Sequence, residues 1–346
     1  MMTIPLPVQH RDTIVVGASA GGIPALRRLL GALPADLPAA VLITLHQGRL
    51  AGRLDEILRA ATALPVAFVS DDVPLEPGRV YLAPPDRHLI VLGDVAQVTT
   101  GPREMRARPA INPLFRTAAA SRGSRVLAVQ LTGMLDDGVA GLEAVRRCGG
   151  LVLVQDPADA EYPEMPQAAI GAGEVDHVGS IESIAGWLRE RVTEVAPPSP
   201  IPEDVALEAR LSTAEPSRPA STEQLGEQVA VGCPDCGGPL WQVGYGDNAV
   251  YRCHVGHSLS ARAVLEAQAD GIERSLWVAV RSLAERAAML QRLADNALKG
   301  SPKVADDYRE RAHEAMVHSE NARRFLLSLQ GSMMPARDIA ADTIEN

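Results

Sequence analysis

Between residues 12 and 190 the chain alternates short, continuous runs of Val, Ile and Leu with segments of helical spacing. The apolar runs lie at 13–16, 41–45, 66–69, 80–82, 126–131 and 151–154, and the helical patterns at 23–33, 54–63, 113–122, 139–148, 168–172 and 181–192. A strand that is apolar at successive positions is buried on both faces, the condition of a parallel sheet with helices on either side. Only 89–91 and 95–99, around Gly93, read as an antiparallel hairpin. The expected fold class is therefore α/β, a doubly wound, mostly parallel sheet in a Rossmann-like three-layer arrangement. Crossovers in such a sheet are right-handed, and sites form at the carboxyl ends of the strands.

The rest of the 346 residues is organised differently. A catalytic domain over 12–194 is followed at 195–230 by an exposed linker. Pro197, Pro198, Pro200, Pro202, Pro216 and Pro219 stand there among Ser, Thr and Glu, with one helical turn near 205–211. Residues 231–257 form a small Cys/His module. Residues 258–330 are rich in Ala, Leu, Arg and Glu. Leu265, Ala269, Ile272, Leu276, Leu283, Ala287 and Leu290 fall on one helix face, and Gly300, Ser301 and Pro302 interrupt it. A second face then carries Tyr308, Ala312, Ala315, Ala322, Phe325 and Leu329. This predicts a helical hairpin, with a frayed tail over the last 15 residues.

Charge and hydropathy narrow the function classes. The net charge of −10 argues against nucleic-acid binding and against docking on an anionic membrane. Residues 1–12 lack the pattern of a signal peptide, and no apolar run approaches the roughly 18 residues of a membrane span. The expectation is a soluble, cytoplasmic protein without membrane insertion.

Gly17-Ala18-Ser19-Ala20-Gly21 lies between a strand and a helix and fits G-x-S-x-G, a turn that lifts a serine hydroxyl above a sheet. A phosphate-binding glycine loop fits less well. Ser19 occupies the second glycine position of G-x-G-x-x-G, and no G-K-[ST] follows. His46 ends the next strand, on the same sheet edge, as a general base must. Asp136 and Asp137 follow a further strand, and either could orient the imidazole or simply cap a helix. The order Ser, His, Asp differs from that of the α/β-hydrolases.

Six collinear segments together resemble the catalytic domain of the CheB-type protein-glutamate methylesterases: GASAGG (17–22), VLITLHQ (41–47), VYLAPPDRHL (80–89), RPAINPLFRTAA (108–119), LTGMLDDGVAG (131–141) and EMPQAAI (164–170). The resemblance implies that Ser19 is the nucleophile, His46 the base and Asp137 the orienting acid. The family pattern G-M-G-x-D-G-A lands on Gly133 to Val139, which makes Asp136 the variable position. It implies demethylation of glutamyl methyl esters, and deamidation of glutamines, on chemoreceptors or related signalling proteins through an acyl-enzyme, with no cofactor for catalysis. The backbone N–H groups of Ala20 and Met134 are the oxyanion-hole candidates. Leu135 replaces a family glycine, and Asn112 stands where an acidic residue is common. Arg103, Arg106, Arg108 and Arg116 read as a solvated face, and His88 as structural. The first strand begins near residue 12, so no phosphoacceptor receiver domain is expected before it, and regulation is assigned to the C-terminal part or to another protein.

Cys233, Cys236 and Cys253 stand in C-x2-C-x16-C, followed by His254 and His257. Two turns that each supply two ligands make a tetrahedral, structural zinc site in a zinc-ribbon-like module. Spacing favours His257 as fourth ligand, with His254 as its rival. Tails of this kind accompany some receiver-less esterases of the family. The helices after it are expected to take a regulator, to form an oligomer contact or to pack on the catalytic domain. Two other functions compete with the leading one: an esterase fold kept as a catalytically silent scaffold, and an esterase or amidase of the same fold acting on a non-receptor substrate.

Overall fold

The computed structural model describes residues 9–46, 53–212, 223–244 and 249–330. Gln47, the end of the linker with Pro216 and Pro219, and the tail expected to fray lie outside the described residues. The chain divides into two compact units, 1–264 and 265–346.

The first unit is built on β1 (Thr13–Ala18), β2 (Ala40–Leu45), β3 (Val66–Phe68), β4 (Val73–Pro74), β5 (Val80–Leu82), β6 (His88–Leu92), β7 (Val95–Thr99), β8 (Val126–Gln130), β9 (Leu151–Gln155) and β10 (His177–Gly179). Seven of these form one sheet in the order β10-β9-β8-β1-β2-β5-β3, and every pairing in it is parallel. The strands β4, β7 and β6 make a small antiparallel sheet. The helices are α1 (Gly22–Gly31), α2 (Leu54–Arg59), α3 (Ile111–Arg122), α4 (Val139–Arg147), α5 (Glu164–Gly171), α6 (Ile181–Arg191) and α7 (Glu203–Leu211).

Successive strand residues feed opposite cores, as the period of two requires. Ile14, Val16, Val41 and Ile43 pack with Leu26 and Leu30 of α1 and Ile184 of α6. Val15, Leu42, Ala128 and Val152 pack with Phe115 of α3, Val145 of α4 and Met165 of α5. Burial on both sides explains why these strands carry no polar alternation. Within 195–230, the expected single turn is the nine-residue α7. Its Val205 joins the second core, and Asp204 pairs with Arg147 of α4 at 2.8 Å.

A second, antiparallel sheet has the order β11 (Gly226–Gly232), β12 (Pro239–Val243), β13 (Val250–Cys253), β14 (Ser258–Ser260). Its small core holds Cys233, Leu240, Cys253 and Leu259, with Met105 packed against it.

The second unit takes most of α8 (Ala261–Ala297) and all of α9 (Pro302–Gln330), a helical hairpin. Ser319 donates its hydroxyl to the Val280 carbonyl at 3.0 Å. Ala287, Leu290, Ala294, Ala305, Ala312, Ala315 and Leu326 are buried. Leu265 and Ile272 of the expected stripe are exposed, and so is Phe325, whose neighbour Leu326 turns inward instead. Among the described residues, no helix is long and apolar enough to cross a membrane.

Candidate active site

Ser19 follows β1, His46 follows β2 and Asp137 lies in the loop after β8, three adjacent parallel strands. The three side chains meet. Ser19 Oγ is 3.1 Å from His46 Nδ1, and His46 Nε2 is 2.7 Å from Asp137 Oδ2. A carboxylate only accepts, so Nε2 carries the proton and Nδ1 is left to accept from the serine hydroxyl. Asp137 is 2% exposed. Its Oδ2 also accepts from the Ile111 amide at 2.7 Å, and Oδ1 from the Asn112 amide at 3.2 Å. The first turn of α3 therefore fixes the carboxylate, using N–H groups that a helix leaves without intrahelical partners. Asp136 does not reach the histidine. It lines a cavity beside Ser260 instead, and burial raises its carboxyl above the usual range.

The turn that carries Ser19 is tied down by its own backbone. Ser19 donates its amide to Thr132 O at 3.0 Å, and Gly22 donates to Ser19 O at 2.9 Å. The Ala20 and Met134 amides make no backbone hydrogen bond among the described residues. Gly133 passes so close beneath that a Cβ there would fall 2.8 Å from Ser19 Cβ and 2.0 Å from Met165 Sδ. Met165 is fully buried, so any shift of its thioether must be taken up by the packed core around it. Gly133→Ala is expected to displace Ser19, lowering kcat about 100-fold and stability by about 1–3 kcal/mol, checked by steady-state kinetics and a urea midpoint.

The two departures from the family pattern have clear settings. Leu135, in place of a glycine, adopts φ 66°, a left-handed conformation that costs a non-glycine residue about 1–2 kcal/mol. Its amide donates to Glu164 Oε2 at 3.2 Å, which helps to hold the turn. Asn112 is buried, and its Oδ1 accepts from the Gly141 amide in the first turn of α4 at 2.8 Å. An acceptor oxygen is what that position needs, and the amide supplies one without a second buried charge beside Asp137.

Of the four arginines expected on a solvated face, Arg103 and Arg106 are exposed, whereas Arg108 is half-buried and Arg116 is buried. Arg116 is 2% exposed and donates to Glu104 Oε1 at 2.6 Å. Arg108 donates to Asp86 Oδ1 at 3.0 Å and to the Thr100 and Gly101 carbonyls. His88 braces the same segment, with Nε2–H donating to Pro102 O at 2.9 Å and Nδ1 accepting from the Ala110 amide at 3.1 Å. That pairing requires a neutral ring. Burial pushes its pKa below the ordinary value of about 6.5, aided by Arg108 and opposed by Glu104 and Asp137. The unfolded chain binds a proton at His88 that the native chain refuses. Stability from this group is thus complete above about pH 6.5 and lost as pH falls below it. The urea midpoint is expected to drop more steeply between about pH 7 and 5 in the native chain than in a His88→Asn variant.

Cys233, Cys236, Cys253 and His257 bring one ligand atom each to within 4.8 Å of one another, a cluster that can hold a metal ion. Cys236 Sγ is 3.7 Å from Cys253 Sγ, and His257 Nδ1 is 3.7 Å from Cys233 Sγ and 3.5 Å from Cys253 Sγ. A tetrahedral ion with metal–sulfur bonds of about 2.3 Å spaces its ligands by about 3.7 Å, so the donor set fits. Burial pushes the thiols of Cys233 and Cys253 upward, and a divalent cation would release those protons. His254 instead lies against Trp241, ring centroids 3.9 Å apart.

A serine, a histidine and a buried aspartate on neighbouring strands, above a wholly parallel sheet, form the constellation used by serine hydrolases. Residues 14–188 match the family described as CheB methylesterase, and the chain belongs to that family. It is similar to the "Putative protein-glutamate methylesterase/protein-glutamine glutaminase" of Leptospira interrogans, 38% identical over 176 residues, which covers 50% of this chain and 91% of that one. It is also similar to "Protein-glutamate methylesterase/protein-glutamine glutaminase 3" of Anaeromyxobacter dehalogenans, 41% identical over 192 residues, 54% of this chain and 56% of the relative. The crystal structure of the Thermotoga maritima CheB methylesterase catalytic domain superimposes with a TM-score of 0.50 at 29% identity, covering 53% of this chain and 99% of that one. The chain spans about half the length of several other curated relatives that it matches, as it does of the Anaeromyxobacter dehalogenans protein.

Proposed function

We propose that this chain is a cytoplasmic protein-glutamate methylesterase that also deamidates glutamine, acting on methylated chemoreceptors or related signalling proteins. The observation that carries it is the continuous hydrogen-bond chain from Ser19 through His46 to Asp137. Ser19 Oγ attacks the γ-carbonyl carbon of a glutamyl methyl ester while its proton passes to His46 Nδ1. Asp137 stabilises the imidazolium so formed. The tetrahedral oxyanion is received by the amides of Ala20 and Met134, whose backbone is held beside Ser19 by the Ser19–Thr132 contact. The C–O bond to the methoxy group breaks, His46 returns the proton to it, and methanol leaves. Water, deprotonated by His46, hydrolyses the acyl-enzyme to glutamate and free serine. The same attack on a glutamine side chain expels ammonia. Names of relatives that join methylesterase and glutaminase support this pairing.

The same reading has Cys233, Cys236, Cys253 and His257 hold zinc. With four protein ligands the ion has no open position, and it supplies a cross-link between two turns rather than chemistry. It also has a regulator or a second copy of the chain dock on the hairpin, where Met289, Met316 and Phe325 are exposed.

Methanol release from a methylated receptor fragment, together with labelling by a fluorophosphonate probe, tests the proposal. Release and labelling are expected. Labelling without release would move the substrate elsewhere, and loss of both would leave a scaffold.

A further inference from the structure

We propose that the metal-loaded Cys/His module is a positioning element for the active site, acting through the residues that follow His257. The proposal rests on the methylesterase and zinc readings above.

Three short connections leave the module immediately after His257. Ser258 accepts the Met105 amide at 2.7 Å and bridges Glu104 as an added strand contact. Ser260 donates its amide to Met105 Sδ at 3.1 Å and lines one cavity with Asp136, the neighbour of Asp137. Arg262 pairs at 3.3 Å with Glu164, the carboxylate that also receives the Leu135 amide. The loop before α3, whose first amides hold Asp137, and the loop that contains Asp137 are therefore both gripped by five consecutive residues.

On the other side of the module, Arg252 precedes the ligand Cys253. It is 2% exposed and donates to the Leu211 carbonyl at 3.0 Å. Its charge faces Glu104 and Glu208, which also face Arg116 of α3. Two guanidinium groups and two carboxyl groups, Glu208 the one partly exposed, thus meet between module and helix. Displacing the module is costly, because separation would leave the buried Arg116–Glu104 pair and Arg252 with unmatched charge.

Backbone strain marks the same two loops. Among the described residues, four non-glycine residues have positive φ. Met105 (48°), Arg106 (60°) and Leu135 (66°) are in these loops, and the fourth, Asp86, holds Arg108. Left-handed residues of this kind persist only where their surroundings impose them. Here the surroundings are Ser258, Ser260 and the Glu164–Arg262 pair. A module this small has little core of its own and depends on its metal for a fixed shape. Metal in the module then becomes order in the loops, and order in the loops sets where Asp137, Leu135 and Met134 stand.

The test uses the full chain, zinc-loaded and after chelation, with two readouts. Amide hydrogen exchange is followed at 101–112 and 131–139 and, for reference, in β1 and β9. Methanol release is measured as separate kcat and KM. Chelation is expected to speed exchange in the two loops while the sheet stays protected, and to lower kcat about 10- to 100-fold, with KM moving less. In zinc-loaded Glu104→Gln, kcat is expected to fall as well, and chelation of that variant to cost less than in the native chain, because both act through one linkage. Unchanged exchange and kcat on chelation would overturn the proposal. Faster exchange in β1 and β9 along with the loops would overturn it too, since the ion would then support the whole unit. A rise in kcat would overturn it as well. A chain that binds no zinc fails the metal reading and the proposal with it. A zinc-loaded chain that releases no methanol fails the methylesterase reading alone, and the exchange measurement still decides the coupling.

Discussion

Ser19→Ala is expected to eliminate turnover of a methylated receptor fragment, lowering kcat by about ten-thousand-fold or more, and to abolish fluorophosphonate labelling. The hydroxyl lies 3.1 Å from His46 Nδ1, and among the described residues no second nucleophile shares that contact. What remains after its removal is the binding of the substrate and of the oxyanion, which elsewhere leaves about a thousandfold or more of catalysis over water. The fold should be unaffected. The Ser19 amide bond to Thr132 belongs to the backbone and survives, and the lost hydroxyl contact is worth about 0.5–1.5 kcal/mol. A variant that keeps both its urea midpoint and more than about a hundredth of the native kcat would mean that another group makes the acyl-enzyme, or that none forms.

The parts of the molecule that were legible in the sequence are those whose signal is local. Continuous Val, Ile and Leu in β1, β2, β8 and β9 announced strands buried on both faces, and strand ends announced where Ser19 and His46 would stand. Asp136 and Asp137 were not separable from the residues alone. What separates them is the first turn of α3, some 25 residues earlier in the chain, whose amides point at Asp137. Only the family pattern pointed to the second aspartate beforehand. Arg116 looked like part of a solvated stretch because its burial depends on α7 and β13, about 90 and 135 residues away. No local pattern reports a partner at that distance, and Glu104, Arg252 and Ser260 were missed for the same reason. The hairpin shows a different limit. A stripe of apolar residues defines a face only to within about a third of a turn, and the helix drifts against any fixed repeat, so a rotation by one residue exchanges Phe325 for Leu326.

Asp137 offers the sharpest distinction between a side chain that holds a geometry and one that supplies a charge. Asparagine there has two orientations. With its nitrogen in the place of Oδ2, it would meet the Ile111 amide donor to donor at 2.7 Å. With its oxygen there, the clash falls at the longer 3.2 Å contact with Asn112. The backbone of α3 does not rearrange its donors, so the second orientation prevails. The oxygen then still accepts from His46 Nε2–H and from Ile111, and the imidazole keeps the tautomer that Ser19 needs. What is lost is the negative charge that stabilises the imidazolium, a difference of about 1.5–3 kcal/mol for a charge-assisted pair. Asp137→Asn is accordingly expected to lower kcat about 10- to 150-fold, with KM little changed. Asp137→Ala removes the acceptor altogether. It frees the imidazole to choose the wrong tautomer and leaves the Ile111 and Asn112 amides buried without partners, at about 1–3 kcal/mol each. Its kcat should fall about ten-thousand-fold, and its urea midpoint should drop well below that of the asparagine variant. If asparagine proves as inactive as alanine, the α3 amides do not dictate the orientation of the acceptor, and the tautomer of His46 is set by Asp137 alone.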